Sequence, residues 1–373
     1  MIAQSAARDK WFLCFEAVSS VFYFHSLLPF CPEMCYTGAI EQAAALWLPG
    51  KRRIMQTKRV LTLGETMAMF MAESIGTLDT VDEYRCDNAG AEFNVGVGLT
   101  RLGHSVDYLT ALGKDPFGRR IAAAMERERI GTSLVRWSDE RRTGFMLKAL
   151  TDRGDPDIFY FRAGSAASTL SPADLDRVDV TRYDHLHVTG ITLALSESCR
   201  ALVFELVRRA KAAGLTVSFD PNLRLQLWPD RQTMTDCIHR MAALCDVFLP
   251  GIGEAEKLCG AVTPQKAAAF YRALGVPCVI VKAGAEGSYW SAAEGSGLVP
   301  GFAVKKVVDT VGAGDGFAAG VISARLEGLD WTACARRGNA VGAIQVMNRS
   351  DNAGLPTREE LEDFMDGRGK YHA

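Results

Sequence analysis

Residues 309 to 320, DTVGAGDGFAAG, place a carboxylate directly behind a glycine-rich turn at the start of a small-residue helix pattern. Such a turn presents backbone N–H groups without helical acceptors, together with the positive end of the helix dipole. Gly312, Ala313 and Gly314 carry almost no side chain, so a phosphate or a developing oxyanion can reach their amides. Asp315 then stands beside an anion site, where a carboxylate is useless as a phosphate ligand. It is suited to take the proton from a hydroxyl that attacks a phosphoryl group, with charge stabilised by the amides and a divalent cation. Taken alone, G-x-G-D reads equally well as a tight strand-to-helix turn with an N-terminal aspartate.

The elements that must hold such a site follow from the apolar pattern. RVLTLGE, VDYLTALG, HLHVTG, LTVSFDPN, DVFLPG and CVIVKAG are short β-rich runs bounded by Gly, Pro, Asn or Asp. Amphipathic stretches such as CRALVFELVRRAKAAG and QKAAAFYRALG lie between them. Alternating β and α with nearly continuous apolar strands predicts a parallel sheet covered by helices on both faces, with ligands at the carboxyl ends of the strands. Residues 66–88 and 143–162 instead alternate apolar and polar residues around turns, which predicts a small β flap over that edge.

The chain has 373 residues, 48% hydrophobic and 23% charged, with a net charge of −2. This composition is that of a soluble globular protein and gives no reason to expect nucleic acid or a membrane surface as a partner. Ten cysteines are scattered through apolar runs without a CxxC pair, which points to reduced thiols in the cytoplasm. Residues 1–57 are read as an N-terminal extension. WFLCFEAVSSVFYFHSLLPFC is broken by Glu16, His25 and Pro29, and so makes a poor membrane span. Met55 directly precedes the first good strand, so the extension is expected to lie outside the functional protein, although an accessory or targeting role stays open.

DTVGAGDGF resembles the nucleotide and catalytic signature of the ribokinase-like (PfkB-type) carbohydrate kinases. NAGAEFNVGVGLTRLG (88–103) is similar to that family's sugar-site signature, and LGKDPFG (112–118), DPNLR (220–224), VKAGAEGSYW (281–290) and RGNAVGA (337–343) follow in the family's order. The resemblance implies a kinase domain over 58–367: a three-layer α/β/α fold with a mostly parallel, nine-stranded-type sheet and a β lid. It also implies ATP and Mg2+ as cofactors, Asp315 as catalytic base, and Gly312, Ala313 and Gly314 as the anion hole.

On the substrate side, Gly90 lets a polyol hydroxyl approach the backbone, and Asn94 can hold the loop or the ligand. Lys282, Gly284, Gly287, Asp309 and Asn339 are placed on the nucleotide; an exposed strand-end lysine and a solvent-facing asparagine are the alternatives for Lys282 and Asn339. YFRAGSAAS (160–168) is most similar to 2-keto-3-deoxygluconate kinases, in which Tyr160, Arg162 and Arg224 would meet a sugar acid. Arginine suits a planar carboxylate, which ribose and fructose lack. Otherwise Arg162 pairs with an acid such as Asp157.

The chain departs from the family pattern twice. Gly251 stands where PNxxE has asparagine, leaving Glu254 to organise magnesium-bound water. Met146 stands where sugar-acid kinases offer a tyrosine. The expected partner is therefore a sugar acid, or alternatively a neutral sugar of the fructose or ribose type, with a homo-oligomer through the lid also open. A non-catalytic sugar-binding regulator is disfavoured by the intact GAGD, and a dinucleotide oxidoreductase by LGETMAM in place of GxGxxG after the first strand.

Overall fold

The computed structural model describes residues 57–151 and 156–371, so the expectation for the N-terminal extension lies almost wholly outside the described residues. The first strands in chain order are β1 (Arg59–Leu63), β2 (Met67–Ile75), β3 (Tyr84–Ala89), β4 (Ser105–Gly113) and β5 (Ile130–Gly131). They are followed by β6 (Val135–Ser138), β7 (Phe145–Leu150), β8 (Ile158–Phe161), β9 (His185–Thr189) and β10 (Thr216–Asp220). The last four are β11 (Val247–Phe248), β12 (Cys278–Lys282), β13 (Gly287–Ala292) and β14 (Gly295–Pro300).

Ten strands form the main sheet in the order β14-β13-β12-β11-β10-β9-β1-β4-β5, with β6 pairing β4 off that path. Only the β12–β13 and β13–β14 pairs are antiparallel. The sheet is one strand larger than the nine-stranded type, because β6 adds to the far end of β4.

Period-2 alternation explains the three layers. Along β12, Cys278 and Ile280 join one core while Val279 and Val281 join the other. Both faces are therefore buried under helices, as continuous apolar strands require. Among the described residues, no helix is long and apolar enough to cross a membrane.

The two alternating segments form a separate four-stranded sheet, β3-β2-β7-β8. Its inner face is methionine-rich, with Met67, Met69, Met71 and Met146 packed together. The motif LGKDPFG ties this lid to the main sheet. Asp115 caps the helix Pro116–Arg127 by accepting from the Gly118 N–H at 2.8 Å, and its second oxygen accepts from the Thr143 N–H at 2.8 Å.

Candidate active site

The turn before the helix Ala313–Leu326 is shaped by Gly312, whose φ is 80°. A Cβ there would lie 2.0 Å from the Asp351 carbonyl oxygen, so the position admits only glycine. Gly316 N–H closes the first helical bond onto Gly312 O at 2.9 Å, and Ala313 N–H makes a long bond of 3.4 Å back to Thr310 O, which leaves the amides that follow it at the mouth of the turn. Asp315 sits in this first turn with its side chain buried.

Two amides hold the Asp315 carboxylate. Asn94 Nδ2 donates to Oδ2 at 2.8 Å, and Asn222 Nδ2 donates to Oδ1 at 3.2 Å. Asn94 is itself fixed, because Asn352 Nδ2 donates to its Oδ1 at 2.9 Å. Asn222 has a φ of 35°, a left-handed conformation that asparagine tolerates, steadied by its N–H on Asp220 Oδ1 at 3.0 Å. Burial pushes the Asp315 carboxyl up to about 7, with Asp220 adding to the effect, while the Asn94 hydrogen bond, Arg224 and Lys282 oppose it. The group is thus poised near neutrality, the range that suits acid–base chemistry.

Two cavities, each of about 360 Å3, meet at this turn. The polar one lies under the lid and is lined by Gly90, Asn94, Tyr160, Arg162, Arg224 and Asp315, among others. The apolar one is a groove between β12–β13 and the helix Trp331–Val346, walled by Phe302, Phe317, Ala343 and Val346. Lys282, Thr310 and Gly314 line both. Groups bound in the two cavities would face each other across the Gly312–Gly314 turn.

In the polar cavity, Gly90 is required by packing, since a Cβ would lie 2.6 Å from the Glu65 carbonyl oxygen. Tyr160 and Arg162 share a face, with the guanidinium 5.5 Å from the ring centroid. The Arg162 guanidinium is buried on Glu65, Nη2 to Oε2 at 2.6 Å, and not on a neighbour such as Asp157. Arg224 has no carboxylate partner among the described residues; its Nη1 donates to the Leu223 carbonyl at 3.0 Å. Met146 contributes an apolar wall.

Lys282 stands at the junction with Nζ on Asp220 Oδ2 at 2.6 Å. Burial alone would lower its pKa, but Asp220, Glu254 and Asp315 outweigh it and keep the ammonium charged. Glu254 accepts from the Leu223 N–H at 2.8 Å and the Gly251 N–H at 2.7 Å, so it caps the helix Ile252–Cys259 and braces the loop that carries Asn222. Gly251 supplies only this backbone donor where the family pattern has a side chain. No cluster of three or more His, Cys, Asp or Glu side chains able to hold a metal ion occurs among the described residues.

Gly284, Gly287 and Asn339 line the apolar groove. Asn339 is buried and not solvent-facing: its Nδ2 donates to the Val299 and Pro300 carbonyls at 3.0 and 3.1 Å, which anchors β14. Asp309 is the exception to the nucleotide-side expectation. It does not line the groove, because Lys148 Nζ draws its Oδ2 toward the lid at 2.6 Å and its Oδ1 accepts from the Val311 N–H at 3.1 Å.

Glu65, Lys148, Asn222, Asp351 and Asn352 were not singled out in the sequence. Asn222 lies inside the quoted DPNLR and Glu65 inside LGETMAM, where a polar residue just past a strand end was the available signal. Asp351 and Asn352 lie in a loop without a motif, and nothing local points to them.

A model of the pfkB family of carbohydrate kinases matches residues 57–358, and the chain belongs to this family. The chain is 44% identical to the 2-dehydro-3-deoxygluconokinase of Bacillus subtilis strain 168 over 84% of its own length and 97% of that protein's. Among solved structures it is similar to a PfkB protein from Polaromonas sp. JS666, with 42% identity, a TM-score of 0.76, and 82% of this chain and 99% of that one covered. An Escherichia coli protein in complex with ATP and Mg2+ superposes with a TM-score of 0.75 at 28% identity, covering 83% of this chain and 99% of that one.

Proposed function

We propose that this carbohydrate kinase transfers the γ-phosphoryl group of ATP to a hydroxyl of a sugar acid, with 2-keto-3-deoxygluconate the preferred acceptor. The observation that carries this reading is the meeting of a polar, arginine-lined cavity and an apolar groove at Gly314, with Asp315 on the polar side. Asp315 takes the acceptor proton, the Ala313 and Gly314 amides hold the phosphoryl oxygens, and Lys282 adds positive charge at the junction. Arg224 pairs with the substrate carboxylate, while Arg162, held by Glu65, supports Tyr160 against the carbon chain.

Bound with the substrate phosphates, Mg2+ would supply positive charge against the charge that develops on transfer. The residues present fit such an ion. Each Glu254 oxygen has a lone pair beyond its backbone bond and can hold a coordinating water. Purified enzyme given ATP and Mg2+ with a panel of sugar acids and neutral sugars should release ADP fastest with 2-keto-3-deoxygluconate. Fastest turnover of fructose or ribose would replace the sugar-acid reading with the neutral-sugar one.

The enzyme is placed in the cytoplasm, where ATP is supplied and thiols stay reduced; the seven cysteines among the described residues are unpaired. Its lid pairs with a second copy of the chain. The outer face exposes Phe159 at 57% and Phe161 at 45%, with Phe161 stacked on Phe145 at 4.4 Å. An apolar aromatic face of this kind is typical of an interface. Sedimentation should give a dimer for the wild type and a monomer for Phe159→Glu/Phe161→Glu; a wild-type monomer at micromolar concentration would remove the dimer.

A further inference from the structure

We propose that Lys148 is a positioning residue: an ammonium carried by the lid that braces the anion-binding turn from behind, so that seating the lid and assembling the phosphate site are one event. The inference rests on reading Gly312–Gly314 as the anion hole. Lys148 lies on β7, and its side chain is only 4% exposed. Its Nζ reaches Asp309 Oδ2 at 2.6 Å and Asp351 Oδ1 at 2.9 Å. These two acids flank the turn. Asp309 holds the Val311 N–H at 3.1 Å through its other oxygen, immediately before Gly312. The Asp351 backbone carbonyl occupies the space beside Gly312 where a side chain would otherwise be.

One cation therefore sets the spacing of two segments that clamp the turn from opposite sides. The same strand reaches the substrate. Met146 and Lys148 are two residues apart and share a face of β7, and Met146 lines the sugar cavity. A displaced lid would thus withdraw the apolar wall and the ammonium together. Loss of the ammonium would also leave two buried carboxylates facing each other beside the place where phosphates bind, an arrangement that is strongly unfavourable without the cation. A merely structural ion pair would steady the lid without affecting the turn.

Lys148→Met tests the inference, with Lys148→Met/Asp309→Asn as the companion that removes charge in balance and keeps the fold accessible. In the folded double variant kcat should fall by about a hundredfold, the scale of a misplaced catalytic group, with the sugar KM changed far less. Hydrogen exchange at the Val308, Asp309, Val311 and Gly316 amides, all hydrogen-bonded in the native turn, should accelerate. Ethylammonium should restore part of the turnover of Lys148→Ala, and ethanol should restore none. Unchanged exchange across these amides in the folded double variant would overturn the proposal whatever its turnover. The kinase reading fails elsewhere, in the wild-type enzyme on the substrate panel, so the two failures are distinguishable.

Discussion

Asp315→Asn is expected to lower kcat by at least about 10²-fold, the low end for loss of a general base, while nucleotide binding persists. The side chain is buried in the first turn of the helix Ala313–Leu326, held by Asn94 and Asn222, and the isosteric replacement keeps its shape while its NH2 faces one of these two donors. The pH dependence adds a second signature. Burial raises the Asp315 carboxyl to about 7, so the ionised form predominates only above that pH. Wild-type kcat/KM should therefore climb through neutrality and level off in mild alkali, and the variant should lack that limb.

The sign for stability is opposite. The folded protein keeps a proton that the unfolded chain releases from about pH 4 upward, so this group's contribution falls as pH rises toward 7. From about pH 5 to about pH 8 the wild type should therefore lose more thermal stability than Asp315→Asn, whose neutral side chain does not titrate. A folded variant with near-wild-type turnover would remove Asp315 from the chemistry.

Arg224→Ala should lower kcat/KM for 2-keto-3-deoxygluconate by roughly ten- to a hundredfold, the worth of one charge-assisted hydrogen bond, and leave weak activity on fructose in place. The distinction between the two cavity arginines carries this expectation. Arg162 already has its counter-ion in Glu65, and both are buried, so its charge is largely spent inside the protein. Removing it strands a buried carboxylate, which costs about 3–5 kcal/mol and should depress the melting temperature and every activity together. Arg224 has no such partner among the described residues and lines the same cavity as Asp315. Competition between the sugar acid and fructose, read as the ratio of phosphorylated products, separates the cases. An equal loss on both sugars would deny Arg224 the carboxylate.

Residues adjacent in the chain were readable before any fold was known. The glycine turn, its amides and the following aspartate lie within four positions, so the turn and its helix start follow from helix-terminus physics, while the chemistry needed the other motifs beside it. The six apolar runs all became strands of the main sheet, because burial on both faces demands the continuous pattern they show. The flap segments were visible by their alternation, and they form the separate lid sheet.

Partner choice was not readable. Whether Arg162 would meet a substrate, Asp157 or Glu65 depends on which strand ends converge, and Glu65 is 97 positions away. Asn94 could hold the loop or the ligand, and only the fold shows its amide on a carboxylate 221 positions later, fixed there through Asn352. Asp309 looked like part of the phosphate turn, and a lysine from the lid turns it aside. Local pattern encodes backbone geometry and burial, which depend on near neighbours. Charge pairing in a buried site depends on which remote groups arrive within about 3 Å, and that is settled only when the lid and the sheet come together.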